Sequence, residues 1–319
     1  MSGLLEVVNL KKYFETRGGL LHAVDGVSFS VGQGKVLGVV GESGCGKSTL
    51  GRVILGIIDA TGGQVIFEGE DITGIRGRKR AELQKKMQII YQDPYSSLNP
   101  RMCVFDLIAD PLQANHVYHD AKALGKRVLE AMDTVGLARN LAYSYPHELD
   151  GGRRQRIGIA RALVLDPTFI VCDEPVSALD VSIQAQILNL LQDLQEQRRL
   201  TYIFVTHDLS VVKHISDDIL VMYMGCMAEK CPADELFENP LHPYTQGLLA
   251  SIPVPDVDYH REKIRIKGEI TSPIEPKPGC RFAPRCAFAD EKCQRETPVF
   301  REMGEGHFVA CHRAGQEVV

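Results

Sequence analysis

Short apolar runs alternate with amphipathic stretches along much of the chain. The run Val36–Val40 and the runs at 168–172 and 202–205 are rich in β-branched and aromatic residues, which predicts three short buried strands. A helix is predicted at 47–58, and another begins near Val181, where apolar residues recur three or four positions apart. Buried strands that alternate with helices predict a parallel sheet covered on both faces.

The pattern of hydrophobic and polar positions changes twice further along. Between about 93 and 162 it becomes mostly helical, with 122–136 the clearest amphipathic stretch, which predicts a helical subdomain inserted into the α/β core. After about residue 250 the sequence is rich in proline and contains four clustered cysteines. We therefore expect one large domain at 1–250 and a small C-terminal extension at 251–319.

The composition is that of a soluble globular protein, since 44% of the 319 residues are hydrophobic and 24% are charged. A formal net charge of -5 gives no electrostatic reason to expect broad binding to DNA or RNA. No apolar run approaches the ~20 residues of a membrane-spanning helix, and the N-terminus lacks the apolar core of a signal peptide. We expect the chain to stay in the cytoplasm unless a partner holds it at a membrane.

A phosphate-binding loop is predicted between the first of these strands and the helix that follows it. Residues 41–48 match the pattern G-x-x-x-x-G-K-[ST] in the strand-to-helix setting that this motif requires. The glycines let backbone amides converge on phosphate oxygens, Lys47 supplies a positive charge, and the Ser48 hydroxyl is a candidate Mg²⁺ ligand. The residues expected to contact nucleotide here are Gly41, Ser43, Gly44, Cys45, Gly46, Lys47, Ser48 and Thr49.

Two carboxylates, Asp173 and Glu174, follow the second buried strand. The carboxyl ends of strands are where open α/β sheets bind their ligands. Asp173 is predicted to ligate Mg²⁺, and Glu174 to polarise the attacking water as a general base. An apolar run before Asp-Glu also occurs at helix N-caps, so this prediction depends on the phosphate-binding loop that precedes it.

The remaining motifs resemble those of ABC ATPases and occur in the order of that family. Gln92 looks like the Q-loop glutamine, 177–180 looks like the D-loop that ends at Asp180, and His207 looks like the switch histidine. The resemblance covers roughly residues 4–250. It implies an α/β P-loop NTPase of ABC type, with a RecA-like core, an antiparallel β N-terminal part and the inserted helical subdomain. The Leu-Ser-Gly-Gly-Gln signature of the family is matched by Leu149, Asp150, Gly151, Gly152 and Arg153.

The resemblance also implies roles for single residues. In this family two nucleotide-binding domains clamp ATP between the phosphate-binding loop of one and the signature of the other. His207 would contact the γ-phosphate, and Gln92 would join the Mg²⁺ shell and couple it to the subdomain that touches the permease. An aromatic residue normally stacks on adenine; Phe14 fits that position, with Tyr13 as the neighbour that could replace it. The histidines interpreted as surface or satisfied core residues are His147, His242 and His307.

The signature departs from the family pattern at two positions. Asp150 stands where Ser is usual, and Arg153 stands where Gln is usual. A carboxylate ~4 Å from a γ-phosphate charge costs on the order of 4 kcal/mol at an effective dielectric near 20, part of which Arg153 would offset. We expect a heterodimer in which the site using Asp150 hydrolyses ATP poorly, while the site using Lys47 and Glu174 is competent. A homodimer is the alternative.

The C-terminal part resembles the tail of oligopeptide and dipeptide importer ATPases, whose close relatives move nickel or glutathione. The matching stretches are 242–245, 279–286 and 307–311. Four soft thiolates suit Zn²⁺ or an iron–sulfur cluster, although C-x-x-C pairs are missing, and unpaired structural cysteines are the alternative. The resemblance favours a structural [4Fe–4S] cluster held by Cys280, Cys286, Cys293 and Cys311.

The sequence thus predicts the ATP-hydrolysing motor of a peptide importer. The implied partners are a second ABC ATPase subunit, two transmembrane permeases and an extracytoplasmic solute-binding protein, with this chain peripheral at the cytoplasmic face of the inner membrane. A soluble ABC ATPase acting on nucleic acid or ribosomes is disfavoured, since a coiled coil, a second cassette and a basic extension are missing. An inactive paralogue is disfavoured by the intact catalytic motifs. The solute itself is not readable from this chain.

Overall fold

The computed structural model describes residues 3–252, 266, 268 and 272–315. The chain divides into two compact units. Unit 1 consists of Met1–Gly32, Val36–Gly74 and Thr206–Val319, and unit 2 consists of Gln33–Lys35 and Ile75–Val205. Each unit is described by itself below, with strands and helices numbered along the whole chain.

Unit 1 contains two groups of strands and several short helices. Its strands are β1 (Leu5–Thr16), β2 (Gly19–Val31), β3 (Val36–Val40), β4 (Gly62–Phe67), β5 (Glu70–Asp71), β9 (Asp218–Tyr223), β10 (Cys226–Pro232), β11 (Arg301–Gly304) and β12 (His307–Val309). Its helices are α1 (Lys47–Ile54), α8 (Leu209–Ile215), α9 (Ala233–Glu238), α10 (Pro243–Ala250) and α11 (Glu291–Arg295), with a 3₁₀ turn at Ala283–Arg285.

Unit 2 is mainly helical around three short strands. The strands are β6 (Met87–Ile90), β7 (Phe169–Asp173) and β8 (Thr201–Val205). The helices are α2 (Arg78–Lys86), α3 (Pro94–Ser97), α4 (Val104–Ala114), α5 (Ala121–Thr134), α6 (Gly151–Leu163) and α7 (Val181–Arg198), with 3₁₀ turns at Arg139–Leu141 and Pro146–Glu148.

The N-terminal strands of unit 1 form an antiparallel sheet in the order β2-β1-β4-β5. Leu5 of β1 stands opposite Val31 of β2 on one side and Phe67 of β4 on the other, and all three side chains are buried. Along β1 the exposed Glu6 lies between the buried Leu5 and Val7, an alternation typical of an antiparallel sheet with one covered face. The predicted antiparallel N-terminal part is therefore confirmed.

The other strands of unit 1 run in the order β11-β12-β10-β9-β3. β3 lies parallel to β9, with Val39 opposite Leu220, and its five residues are all buried. β12 pairs antiparallel with β10, with Glu229 opposite Val309. The end of the described chain is thus built into the sheet that carries the phosphate-binding loop.

In unit 2, β7 lies between β6 and β8, and both pairings are parallel. All residues of β7 and β8 are buried, as their apolar sequences predict. The apolar face of α7 buries Ile187, Leu191 and Leu194. The three predicted strands and the helix beginning at Val181 are confirmed to within one residue.

One predicted helix is shorter in the structure. The helix expected at 47–58 ends at Ile54, because Gly56 adopts a left-handed backbone conformation with φ +65°. Helices α3 to α6 confirm the mostly helical character expected between about 93 and 162. Of the expected C-terminal extension, residues 253–265, 267, 269–271 and 316–319 lie outside the described residues. No helix of the described chain combines the length and apolarity needed to cross a bilayer.

Candidate functional site

The phosphate-binding loop of unit 1 connects β3 to α1, and two of its glycines have no side-chain alternative. Gly41 has φ +151°, and a Cβ added there would lie 2.2 Å from the carbonyl oxygen of Met222. Gly46 has φ +105°, and its added Cβ would lie 2.0 Å from the carbonyl oxygen of Ala23. Because both contacts are with backbone, neither can yield easily. The loop is therefore packed tightly against its neighbours.

Lys47 lies inside this loop and is only 4% exposed. Its Nζ donates hydrogen bonds to the carbonyl oxygens of Gly41 at 2.7 Å and Glu42 at 3.0 Å. No side chain caps the N-terminus of α1, since the N-cap residue is Gly46. A buried ammonium group beside an uncapped helix N-terminus makes this loop suited to binding phosphate.

The two predicted catalytic carboxylates lie at the end of β7 in unit 2. Asp173 is 2% exposed. Glu174 has a left-handed backbone, with φ +49°, and its N–H donates to the Val205 carbonyl at 2.9 Å. Gln92 Nε2 donates to Glu174 Oε2 at 2.9 Å, which brings the predicted Q-loop residue to the predicted base. The conformation of Glu174 has no signal in the sequence, and it is a costly one for a residue with a Cβ.

The signature begins α6 and makes use of its unusual Asp. Asp150 is the N-cap residue of α6, and its Oδ1 accepts a hydrogen bond from the Arg153 backbone N–H at 2.8 Å. Arg153 Nε lies 3.4 Å from Asp150 Oδ2, and both side chains are more than half exposed. Since Ser and Asp are both good N-caps, Asp150 fulfils the capping role that Ser would have.

The signature glycines pack against the start of α7 and the segment just before it. A Cβ added to Gly152 would lie 2.7 Å from Ile183 Cγ2, and one added to Gly151 would lie 3.1 Å from Leu179 Cδ2. Leu149 is buried just before them. Asp180 is the N-cap residue of α7. Within unit 2 the structure thus brings together the residues of the predicted signature and D-loop.

The two aromatic candidates for adenine differ in their surroundings. The Tyr13 ring stacks on His22 with centroids 4.0 Å apart, and its hydroxyl donates to Asp25 Oδ1 at 2.5 Å. Burial, together with this hydrogen bond to Asp25, raises the pKa of Tyr13. Phe14 instead carries the Lys12 ammonium 4.8 Å from its ring centroid. Tyr13 is therefore already engaged within unit 1.

The histidines occupy the two kinds of environment that were expected. His207, the predicted switch residue, is exposed two residues before α8 in unit 1, and His147 is exposed in unit 2. His242 is buried, its Nδ1 accepts from the Tyr244 N–H at 3.0 Å, and burial lowers its pKa to about 4. His307 Nε2 lies 2.7 Å from the buried carboxylate of Glu229, a hydrogen bond that raises the pKa of His307.

The site residues predicted from sequence are divided between the units. The residues in unit 1 are Tyr13, Phe14, the phosphate-binding loop and His207. The residues in unit 2 are Gln92, the signature, Asp173, Glu174 and Asp180.

The four clustered cysteines are also in unit 1. The N–H of Cys280 donates to the carbonyl of Cys293 at 2.7 Å, and Cys286 Sγ accepts from the Phe288 N–H at 3.4 Å. Burial raises the pKa of Cys280 to about 11, and the thiols of Cys293 and Cys311 add to this effect. Burial likewise raises the pKa of Cys286, Cys293 and Cys311. The four thiols are therefore neighbours, and burial favours the protonated form of each.

The donor chemistry of this cluster suits a soft metal, but the side chains do not form a ready-made site. Among the described residues, no three His, Cys, Asp or Glu side chains are arranged so that they could hold a metal ion. All nine cysteines are free thiols. Because a metal-bound cysteine must lose its proton, binding here would release protons and require the thiols to converge.

Two arginines next to these cysteines have contacts that were not predicted from the sequence. Arg285 donates from Nη1 to Glu42 Oε2 at 2.6 Å and from Nη2 to Glu42 Oε1 at 2.9 Å. Arg281 binds the carboxylate of Asp25. The spacing of Cys280-Arg281 and Arg285-Cys286 marks the segment, but nothing in it indicates partners about 250 positions away.

Comparisons with known proteins agree with the fold and the motifs described above. Residues 24–177 match the family model for ABC transporters, and residues 228–293 match the model for the oligopeptide/dipeptide transporter C-terminal region. The dimeric post-hydrolysis structure of the ATP-binding cassette MJ0796, bound to ADP and Pi, superposes with a TM-score of 0.66 and 26% identity over 72% of this chain and 98% of that one. Fold and motifs together define an ABC ATPase, an enzyme that hydrolyses ATP.

The sequence relatives narrow this class. The oligopeptide transport ATP-binding protein OppF of Bacillus subtilis (strain 168) is 52% identical over 312 residues, with 98% of this chain and 97% of the relative covered. The oligopeptide transport ATP-binding protein AppF of the same organism is 50% identical over 319 residues, with 97% of each covered. The chain belongs to the family of oligopeptide and dipeptide transport ATP-binding proteins.

Proposed function

We propose that this chain is the motor subunit of an importer that takes up di- or oligopeptides through separate permease subunits. The observation that carries the proposal is likeness over nearly the whole length, at about 50% identity, to ATP-binding proteins named for oligopeptide transport. That likeness includes the C-terminal region, which ABC ATPases of other transporters need not share. Nickel and glutathione are the alternative cargoes.

The phosphate-binding loop is proposed to hold ATP. Backbone amides at the start of α1 and the Lys47 ammonium would bind the phosphates, a role that the burial of Lys47 and the uncapped helix support. Ser48, Gln92 and Asp173 are the proposed Mg²⁺ ligands, and the metal would neutralise charge on the phosphates. Phe14 is the proposed stacking partner of adenine, because Tyr13 is engaged with His22 and Asp25.

Hydrolysis is assigned to Glu174, with Gln92 and His207 in support. Glu174 would take a proton from the attacking water as its oxygen approaches the γ-phosphate. The hydrogen bond from Gln92 supports this role, since it fixes one carboxylate oxygen of Glu174. His207 would contact the γ-phosphate. Its exposure two residues before α8 is compatible with this role.

We further propose that the chain works in a heterodimer with a second ABC ATPase. Residues 149–153 would complete the partner's site, with Asp180 at the same interface. There the exposed Asp150 carboxylate would stand near a γ-phosphate, its charge partly offset by Arg153. The partner would then supply a signature without this charge to the site that contains Lys47 and Glu174. A homodimer is the alternative.

The complete importer would contain two transmembrane permeases and an extracytoplasmic solute-binding protein, without nucleic acid. In this assembly the chain lies peripherally at the cytoplasmic face of the inner membrane. The proposed domain limits are 1–250 for the ATPase, with the helical subdomain at about 93–162, and 251–319 for the C-terminal extension.

The four cysteines are proposed to hold a [4Fe–4S] cluster, with Zn²⁺ as the alternative. Cys280, Cys286, Cys293 and Cys311 would be the ligands. Support comes from their shared neighbourhood and from the N–H of Phe288, which already donates to one sulfur as is common around such clusters. The role would be structural, since transport driven by ATP requires no redox step.

The test is uptake by the assembled complex. This chain, the products of its neighbouring genes and a solute-binding protein are reconstituted in proteoliposomes, with ATP on the side of the ATPases. We expect labelled di- or oligopeptides to accumulate with ATP and not when this chain carries Glu174→Gln. ATP-driven uptake of nickel or glutathione, without uptake of peptides, would overturn the peptide assignment. Failure of the wild-type complex to hydrolyse ATP would overturn the motor assignment.

A further inference from the structure

The segment 279–286 places an arginine on the phosphate-binding loop. Arg285 forms two parallel hydrogen bonds to the carboxylate of Glu42, the second residue of that loop, at 2.6 and 2.9 Å. The side chains are 7% and 24% exposed, so solvent screens this pair only in part. A bidentate pair of this kind fixes orientation as well as distance. The loop is thus bound at one point by the segment that bears Cys280 and Cys286.

The backbone of Glu42 is held from the same side. Its N–H donates to the hydroxyl of Tyr244 at 2.8 Å, and Tyr244 is fully buried in α10. The Tyr244 ring packs against Phe282 with centroids 5.3 Å apart, and Phe282 lies between the two arginines in sequence. Both the main chain and the side chain of Glu42 therefore depend on the C-terminal part of unit 1.

The second arginine is connected to the loop through intervening residues. Arg281 binds the carboxylate of Asp25, whose N–H donates to the Gly225 carbonyl at 2.8 Å. The Gly225 N–H in turn donates to the carbonyl of Cys45, inside the phosphate-binding loop, at 2.8 Å. The segment thus has two connections to the loop, one at Glu42 and one that ends at Cys45.

We infer that Arg285 is a positioning residue of the nucleotide site, which holds the phosphate-binding loop through Glu42 and makes nucleotide affinity depend on the segment 279–286. The reason for this role is the negative charge of Glu42. A carboxylate within a loop that binds phosphate would repel the ligand, and the guanidinium both neutralises this charge and keeps the carboxylate in one place. The inference rests on the proposed nucleotide site.

A series of variants of the full-length chain tests it, with Mg·ATP binding followed by isothermal titration calorimetry. Arg285→Met leaves the Glu42 carboxylate charged and unanchored, so we expect Kd to rise about five- to tenfold. The double variant Glu42→Gln with Arg285→Met has no unpaired charge but also lacks the contact that positions the loop, so its Kd should fall below that of Arg285→Met and remain above that of wild type. Arg285→Lys, which keeps the charge but loses the bidentate geometry, should lie between wild type and Arg285→Met.

Arg313→Met is the matched control. Arg313 donates to the Phe288 carbonyl at 3.1 Å in the same C-terminal region, and among the described contacts it has none with the phosphate-binding loop. It should lower the melting temperature of the chain without changing Kd. If Arg285→Met binds Mg·ATP like wild type, or the double variant binds no better than Arg285→Met, the inference is wrong. Should Arg285→Met fail to fold, an unchanged Kd for Arg285→Lys would equally contradict the inference. Wild-type chain that binds no Mg·ATP contradicts the proposed nucleotide site itself.

Discussion

Gln92 donates a hydrogen bond to Glu174 across 82 positions of sequence, from Nε2 to Oε2 at 2.9 Å. The contact joins the segment after β6 to the residue after β7, two strands that lie side by side. The residue proposed as the base for hydrolysis thus has a hydrogen-bond partner within the chain itself. The carboxylate is held both by this hydrogen bond and by the left-handed backbone at Glu174.

The first prediction concerns the base itself. Glu174→Gln should lower kcat for ATP hydrolysis by the assembled complex at least about 100-fold, because the amide cannot accept the proton from water. Mg·ATP binding should be kept, since the amide has nearly the same shape. Phosphate release and equilibrium binding separate the two effects. Glu130→Gln, which alters an exposed residue of α5, is the control, and an intact rate in Glu174→Gln would exclude Glu174 as the base.

A second prediction concerns the close approach at Gly46. Gly46→Ala should destabilise the chain by about 3 kcal/mol or more and abolish Mg·ATP binding, because its Cβ would lie 2.0 Å from a backbone oxygen. Gly56→Ala has a similar left-handed backbone with open space around it, and should cost only about 1 kcal/mol. Urea unfolding measures both variants. Equal losses of stability would show that the contact with Ala23 does not matter.

The third prediction is a pH dependence that arises from His242. Burial lowers its folded-state pKa to about 4, while the unfolded chain takes up the proton below about pH 6.5. The unfolded state therefore binds more protons between these values, and stability falls as pH decreases. Between pH 8 and pH 5 this contribution amounts to about 2 kcal/mol.

Comparison with His242→Asn isolates this effect. The Asn side chain has an oxygen that can accept from the Tyr244 N–H, but it does not titrate. Wild type should lose about 2 kcal/mol more than the variant on acidification from pH 8 to pH 5. His307 has the opposite sign, since its raised pKa adds stability that is lost as pH rises, and it is common to both proteins. Parallel stability curves for the two proteins would contradict the prediction.

The fourth prediction concerns the charge of the signature. Asp150→Ser keeps an N-cap on α6 and removes the carboxylate, so the total ATPase rate of the proposed heterodimer should increase as its second site becomes competent. Asp150→Asn keeps the cap with a different neutral group and should act in the same direction. Steady-state phosphate release measures both. If neither variant raises the rate, the charge of Asp150 is not what limits that site.

The fifth prediction concerns the four cysteines. Protein purified without oxygen should contain about four iron and four acid-labile sulfide per chain. Cys293→Ser should lose both, whereas Cys231→Ser, which changes a buried thiol of β10, should keep them. Iron, sulfide and zinc analysis of the three proteins distinguishes the alternatives. Zinc without sulfide would favour the alternative metal. Absence of iron, sulfide and zinc would leave the cysteines as structural thiols.

The sequence predicted most of what depends on local pattern. Strand β3, the loop at 41–48 and the start of α7 follow from apolar runs, glycine spacing and a recognisable motif. The early end of α1 was not predicted, since it depends on the left-handed backbone of Gly56, and the apolar pattern from which the helix was predicted continues to Ile58. The features that were predicted are those that depend on residues close together in the sequence.

Features that join distant positions could not be predicted. The pair of Arg285 and Glu42 connects residues 243 positions apart, and each one alone is an ordinary charged side chain. The hydrogen bond between Gln92 and Glu174 was not predicted, since Gln92 was expected in the Mg²⁺ shell and Glu174 as the general base, and motif order does not say which side-chain atoms meet. The left-handed backbone of Glu174 depends on its pairing with Val205, which no single-sequence pattern encodes.

The pairing of β12 with β10 has a consequence for biosynthesis. Glu229 stands opposite Val309 and binds His307, which is made 78 residues later. In a nascent chain that has been made only as far as β10, Glu229 has no His307 to bind. The edge of β10 likewise has no β12 to pair with. Completion of unit 1 must therefore wait until residues 307–309 have been made, and a ribosome that stops before them releases a product with an open, aggregation-prone edge.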